Sequence, residues 1–268
     1  TPDEGAKSSF YGWSEDDQYL YFGSNKRDSR YFDVYKMSVD DFSSKMIYKD
    51  ESGLSFSGMS SNENHFALTK SLNTNDSDLS LYNVETKEMT KINETPSANS
   101  AQDFSKDNST FYYTTDDGGE FSYLMSYNLH TKEKKKVQEK SWDISGAGFT
   151  SQATYMVVYV NEDGKNIIDV LDTKTMTPIE LPDFGDKSIT SVSFNDDESW
   201  MRMYVGGSNA PSDLYTYNLE TKEQYKLTNV LNDEINADDL VTAKVVRYKS
   251  FDGTVIPAIY YLPKQASA

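Results

Sequence analysis

Five segments of this 268-residue chain repeat one pattern: "YGWSEDDQYLYF" (11–22), "FSGMSSNENHFAL" (56–68), "AQDFSKDNSTFYY" (101–113), "GAGFTSQATYMVV" (146–158) and "SVSFNDDESWMRM" (191–203). In each, a large apolar residue is followed by Ser, Thr or Asn, then a polar turn, then a β-rich strand. The large residues are Trp13, Met59, Phe104, Phe149 and Phe194, at spacings of 46, 45, 45 and 45. A second anchor keeps the same phase. It is a Thr-Lys pair at a turn between two strands, marked by Thr86, Thr131, Thr173 and Thr221. The first unit carries a looser version, "VYKMSVDDFSSKMIY" (34–48).

Each unit reads as four short strands. In the third, a strand runs to Phe104, "SKDNS" turns, and "TFYYTT" is the second strand. "SYLMSYNL" is the third, "HTKE" turns again, and "KKKV" is the fourth. A period near 45 with four strands per unit is the pattern of a β-propeller blade. A four-stranded sheet cannot bury both faces alone, so such units stack and bury one another. The expected fold is all-β, a propeller of about five four-stranded blades within residues 1–240. The blades fall at about 10–53, 54–98, 99–143, 144–187 and 188–232. In "SWMRMYV" (199–205), Trp200, Arg202 and Tyr204 share one face and Met201, Met203 and Val205 the other. Such strands suit sheets sandwiched between neighbours.

Composition agrees. Apolar residues are only 37% of the chain, but aromatics reach 13%, with 20 Tyr, a residue that favours half-buried strands. The net charge of −17 disfavours nucleic acid and anionic membrane surfaces, which need Lys and Arg to neutralise phosphate. The acids are scattered through turns such as "SEDDQ" and "NDDES" and read as a solubilising surface. With no cysteine, disulfides, thiolate catalysis and Cys-bound metal are excluded. No apolar run approaches the roughly 20 residues of a membrane helix, so no membrane insertion is expected. "TPDEGAKSSF" carries no leader pattern.

Catalytic patterns are sparse. A serine hydrolase needs a nucleophile on a strained elbow, a His base and an acid, and no Gly-x-Ser-x-Gly occurs. The nearest stretch, "GGSNA" (206–210), places Ser208 in a loop between two strands. The two histidines, His65 and His130, sit at a strand start and in a turn. The Asx-rich "NTNDSD" (73–78) and "DDGGE" (116–120) read as hairpin loops, since neither has calcium-loop spacing. No catalytic residue, metal or cofactor is expected in this chain. Among four arginines, Arg27, Arg30 and Arg202 are candidates to bind a substrate carboxylate. Ion pairing between blades is their other expected role. Arg247 is assigned to packing of the terminal hairpin.

The chain ends with "VVRYKSFDGTVIPAIYYLPKQASA" (245–268), a β-hairpin turning at Asp252-Gly253. The repeat "WSEDDQYLYF" resembles TolB-type and dipeptidyl-peptidase-type propeller repeats. "SNKRDSRYFDVYKM" (24–37) resembles a blade of the prolyl oligopeptidase family in its acylaminoacyl-peptidase-like bacterial branch. In that family a "SFDG…IPA…LP" segment leaves the propeller and enters an α/β-hydrolase domain. The resemblance covers essentially the whole chain. It implies that residues 241–268 are a linker and the first hairpin of an absent α/β-hydrolase domain, which would hold the nucleophile, acid and base. Since the family usually has seven or eight blades, it also implies about two more blades upstream.

The function so implied is the gating propeller of a serine-type oligopeptidase or aminopeptidase, in a bacterial periplasm or cytoplasm. Its partners would be the hydrolase domain and an oligopeptide, with self-association through open blade edges as a further expectation. Dipeptidyl-peptidase relatives hold a substrate amino terminus with a Glu-Glu pair. This sequence has no Glu-Glu, so that role is not carried over. The alternative is a stand-alone TolB-like interaction propeller that binds a protein or peptide.

Overall fold

The computed structural model describes residues 4–266. Among these, strands form five four-stranded antiparallel sheets and one two-stranded sheet. Each four-stranded sheet is a meander of consecutive strands. Sheet 1 holds β1 (Ser8–Trp13), β2 (Tyr19–Ser24), β3 (Asp33–Ser38) and β4 (Ser44–Tyr48). Sheet 2 holds β5 (Ser55–Met59), β6 (His65–Asn73), β7 (Asp76–Asn83) and β8 (Met89–Lys91). Sheet 3 holds β9 (Asn99–Phe104), β10 (Thr110–Thr115), β11 (Tyr123–Asn128) and β12 (Lys134–Gln138). Sheet 4 holds β13 (Asp143–Phe149), β14 (Tyr155–Glu162), β15 (Lys165–Asp172) and β16 (Thr177–Pro178). Sheet 5 holds β17 (Ser188–Phe194), β18 (Trp200–Gly207), β19 (Ala210–Asn218) and β20 (Gln224–Lys226). The terminal hairpin is β21 (Lys244–Lys249) and β22 (Val255–Tyr260). Contacts divide the chain into two compact units, the first ending at Glu139 and the second starting at Lys140.

The repeated sequence pattern has a local cause. Each large apolar anchor ends the first strand of its sheet, and the Ser, Thr or Asn after it caps the turn. Ser14 Oγ accepts the N–H of Tyr19 at 2.9 Å, and Ser60 Oγ accepts that of His65 at 2.9 Å. Ser105 Oγ, Thr150 Oγ1 and Asn195 Oδ1 do the same for Thr110, Tyr155 and Trp200. Three residues beyond this cap the backbone turns left-handed at Asp17, Glu63, Asn108, Ala153 and Glu198, with φ between 56° and 60°.

The Thr-Lys anchor is a second recurring turn. Asn83 Oδ1 accepts the N–H groups of Glu85 and Thr86, and Asn128 and Asn218 repeat this with His130 and Thr131 and with Glu220 and Thr221. The following lysines, Lys87, Lys132 and Lys222, take φ of 63°. Their ammonium groups lie near the rings of Tyr82, Tyr127 and Tyr217, at 5.8, 5.9 and 5.8 Å from the centroids.

Sheets bury one another in a fixed order. On its leading face, each second strand carries large apolar groups, such as Phe66 and Leu68, Phe111 and Tyr113, or Met201 and Met203. These are buried at 4% exposure or less. In the first unit, Val34 and Tyr48 on the trailing face of sheet 1 cover Phe66 and Leu68 of sheet 2. Ala67, Leu79 and Leu81 on the trailing face of sheet 2 cover Phe111 and Tyr113 of sheet 3. In the second unit, Val157, Ile168 and Val170 of sheet 4 cover Met201 and Met203 of sheet 5.

The left-handed turn residue rivets these pairs. Glu63 Oε1 accepts from Tyr21 Oη at 2.7 Å and from Lys36 Nζ at 2.6 Å, both on sheet 1. Asn108 of sheet 3 bonds Ser61 Oγ and the N–H of Asn62 on sheet 2. Glu198 Oε1 of sheet 5 accepts the N–H of Gln152 on sheet 4 at 2.5 Å.

One expectation needs correcting. The face of β18 that carries Arg202 and Tyr204 is not sandwiched: Arg202 is exposed and Tyr204 is 40% exposed. Aromatic groups on both faces of a strand do not reveal whether both faces are covered. The terminal hairpin also turns more loosely than a two-residue pair. Lys249 faces Val255, and Ser250 to Thr254 form the loop, with Phe251 fully exposed.

Candidate functional site

The terminal hairpin lies over the turns of sheets 4 and 5 in the second unit. The β14–β15 turn is Asp163-Gly164, with φ of 50° and 73°, a pair that a two-residue hairpin turn requires. A Cβ on Gly164 would stand 2.9 Å from Ile259 Cδ1 of β22, so the absent side chain lets the hairpin approach. Asp163 Oδ2 accepts from Arg247 Nη2 of β21 at 2.5 Å. From the β18–β19 turn, Ser208 Oγ accepts the N–H of Ala243 at 2.8 Å, and Asn209 Nδ2 donates to Thr242 Oγ1 at 3.1 Å.

These contacts enclose a cavity of about 380 Å³ whose lining includes Lys165, Asp186, Thr190, Ser208, Lys244 and Tyr261. Its walls are mixed in charge and rich in hydroxyls. Ser208 sits in a strand–turn–strand hairpin. No strand–turn–helix elbow surrounds it, and its hydroxyl is committed to the linker.

The candidate arginines are dispersed. Arg27 forks onto Asp33, Nε to Oδ2 at 2.7 Å and Nη2 to Oδ1 at 2.8 Å, and Nη2 also donates to the Asp50 carbonyl at 2.6 Å. Asp33 is fully buried and also accepts the N–H of Asp50. Arg27 therefore ties β3 to the chain leaving β4. Arg30 pairs at the surface with Asp28 at 2.7 Å, which holds the Asp28 carboxyl well below its usual range. Arg202 lies open on sheet 5, its guanidinium 5.8 Å from the Tyr204 ring centroid.

In the first unit, His65 and His130 line a second cavity of about 260 Å³ together with Glu85, Glu88 and Lys132. Burial pushes His65 below its ordinary value, and the Lys132 and His130 charges add to this. Among the described residues no three His, Asp or Glu side chains converge as a metal-binding group. Sequence reasoning missed the hairpin seat. Its one legible signal was "NEDGK" (161–165), whose Asp-Gly pair marks a tight turn but not what packs against it.

The family model for the prolyl oligopeptidase N-terminal β-propeller domain matches residues 2–230. The chain belongs to this family. Its fold is shared by structures described as two prolyl endopeptidases, with a TM-score of 0.74 at 14% identity over 97% of this chain and 40% of theirs. Prolyl oligopeptidase B from Galerina marginata aligns with a TM-score of 0.71 at 17% identity over 93% of this chain and 37% of its own. TolB from Acinetobacter baumannii aligns with a TM-score of 0.57 at 15% identity over 84% of this chain and 55% of its own. No curated protein sequence matches the chain. It spans about 40% of the prolyl endopeptidase length, and its matched part is the propeller.

Proposed function

We propose that this prolyl oligopeptidase-type propeller is the substrate-gating part of a serine-type oligopeptidase or aminopeptidase. Its catalytic domain would be an α/β-hydrolase that begins at the terminal hairpin. The observation that carries this reading is the seat of that hairpin on sheets 4 and 5, in a chain of this family. A two-stranded sheet is marginal alone. This one is anchored by Arg247 and Ile259, while Val246, Tyr248, Val255 and Tyr260 are each at least 40% exposed. Such a hairpin suits the first strands of a larger sheet. A propeller beside that domain would limit access to chains thin enough to reach the nucleophile, which favours oligopeptides over folded proteins.

The test compares two proteins. The 268-residue chain should neither hydrolyse peptides nor react with a fluorophosphonate probe. A longer product read through the gene beyond Ala268 should do both, and should spare folded proteins. Labelling of the 268-residue chain, or a stop codon after Ala268, would overturn the reading. The stop codon would favour the alternative, a TolB-like module that binds a protein or peptide.

A further inference from the structure

One position of the repeat is filled differently in sheet 2. The residue whose N–H the turn cap receives is Tyr19 in sheet 1, Tyr155 in sheet 4 and Trp200 in sheet 5. In sheet 2 it is His65. Tyr155 crosses to the next sheet and stacks on Phe194 at 5.4 Å. His65 has a shorter ring, bonded to Asn83 of its own sheet at 3.1 Å. The cavity of about 260 Å³ lies at this place, between the trailing face of sheet 2 and the leading face of sheet 3. Both faces are internal to the repeat, since Leu81 of sheet 2 and Tyr127 and Leu129 of sheet 3 belong to one buried cluster.

The two walls carry opposite charges. Glu85 and Glu88 come from the β7–β8 turn, and His130 and Lys132 from the β11–β12 turn. Among the described residues no ion pair joins Lys132 to either glutamate, so the ammonium and the carboxylates stand apart. Leu81 and Leu129, 3% and 6% exposed, give the space an apolar floor.

One buried polar group also opens here without a partner. Tyr127 lines the cavity and is 4% exposed, yet among the described residues its hydroxyl has no hydrogen-bond partner. Buried hydroxyls are normally satisfied. Burial raises the Tyr127 pKa, and the nearby Glu88 charge adds to it. The space is smaller than the roughly 300–1,000 Å³ of pockets for drug-sized ligands. It suits one small molecule with a cationic end, an anionic end and an apolar body.

We propose that this cavity binds a free aliphatic α-amino acid. The ligand's carboxylate faces Lys132 and His130, and its ammonium faces Glu85 and Glu88, with the Tyr127 hydroxyl as a further acceptor. Its side chain rests on Leu81 and Leu129. Charge-assisted hydrogen bonds at both ends supply the specificity. The site does not depend on the peptidase reading.

Isothermal titration of the 268-residue chain with L-leucine tests this. Leucine should bind at one site per chain, with micromolar to millimolar affinity. Leucinamide lacks the carboxylate and isocaproate lacks the ammonium, and each should bind at least tenfold more weakly. Lys132→Gln should weaken leucine at least tenfold and leave leucinamide unchanged. Glu85→Gln combined with Glu88→Gln should weaken leucine equally and leave isocaproate unchanged. These three side chains are exposed, so the variants should keep the fold. His65→Tyr installs the ring that sheets 1 and 4 carry at this position, so it should fill the cavity and abolish binding at an undiminished urea midpoint. No heat with millimolar leucine would overturn the proposal. So would isocaproate binding as tightly as leucine, which would make the cavity a carboxylate site, or a folded His65→Tyr variant that binds leucine as the wild type does.

Discussion

Asn83 Nδ2 donates to His65 Nε2 across 3.1 Å, and the orientation of that amide is fixed by the turn. Asn83 Oδ1 is occupied by the N–H groups of Glu85 and Thr86, so only the NH₂ group can face the ring. His65 Nε2 must then be unprotonated and Nδ1 carry the hydrogen. Protonating the ring would set N–H against N–H, beside Lys132 and His130, in a half-buried place. The folded pKa lies below the unfolded value of 6.5. The unfolded chain therefore binds the extra proton first, and stability falls as pH drops below that value. The lowered carboxyls of Asp107, Asp197 and Asp213 lose their contribution only below their ordinary 3.8. Urea midpoints should hence decline between pH 7 and pH 5 in the wild type. A His65→Gln variant should be flatter over that window. An unchanged slope would remove His65 as its cause.

The leading faces hold the sheets together, and Phe66 is the test position. It is 1% exposed and touches Tyr48, Phe56 and Tyr82 at ring-centroid distances of 6.4, 5.6 and 6.2 Å. Phe66→Ala should destabilise by about 3–5 kcal/mol, since the surrounding rings cannot collapse fully into the cavity. Chemical denaturation monitored by near-ultraviolet circular dichroism reads this directly. A loss below about 1 kcal/mol would mean that sheets 1 and 2 are not held by this cluster.

Glu198 is 5% exposed, yet its carboxyl sits below the ordinary range. Burial alone would raise it. Hydrogen bonds from Thr150, Thr154 and the N–H of Gln152 outweigh that effect and favour the anion. Glu198→Ala should cost about 2 kcal/mol by leaving those donors short of an acceptor. Hydrogen exchange should quicken at the Gln152 amide while the amides of sheet 2 stay unchanged. Protection at Gln152 equal to wild type would count against the rivet.

The fold was legible because its signal is local and repeated. Ser14, Ser60, Ser105, Thr150 and Asn195 each cap the same turn, so the chain writes one requirement five times. "TFYYTT" is β10 to the residue. The covering of faces was not legible. Met203 and Tyr204 are neighbours of similar apolar character, yet one is fully buried and the other is 40% exposed, because cover comes from the next sheet and not from the strand itself. The same limit applies to arginine. Nothing near Arg27 in sequence distinguishes a fork onto buried Asp33 from the open position of Arg202.

The hairpin seat should fail before the sheets do. Gly164 combines a φ of 73° with a neighbour, Ile259 Cδ1, where a Cβ would point. Gly164→Ala would place a side chain in the left-handed region, at a cost of about 1 kcal/mol, and would also push Ile259 aside. Arg247→Ala would remove the guanidinium that pairs with Asp163. The two changes act on the same docking contact from opposite sides. Combined, they should release β21 and β22 as a unit, so trypsin should cut at Lys244 or Lys249 at least tenfold faster. The far-ultraviolet spectrum of the five four-stranded sheets should be retained. Cleavage at the wild-type rate would show that the hairpin is held by something other than these two turns, whereas cooperative loss of all strand signal would make it part of the propeller core.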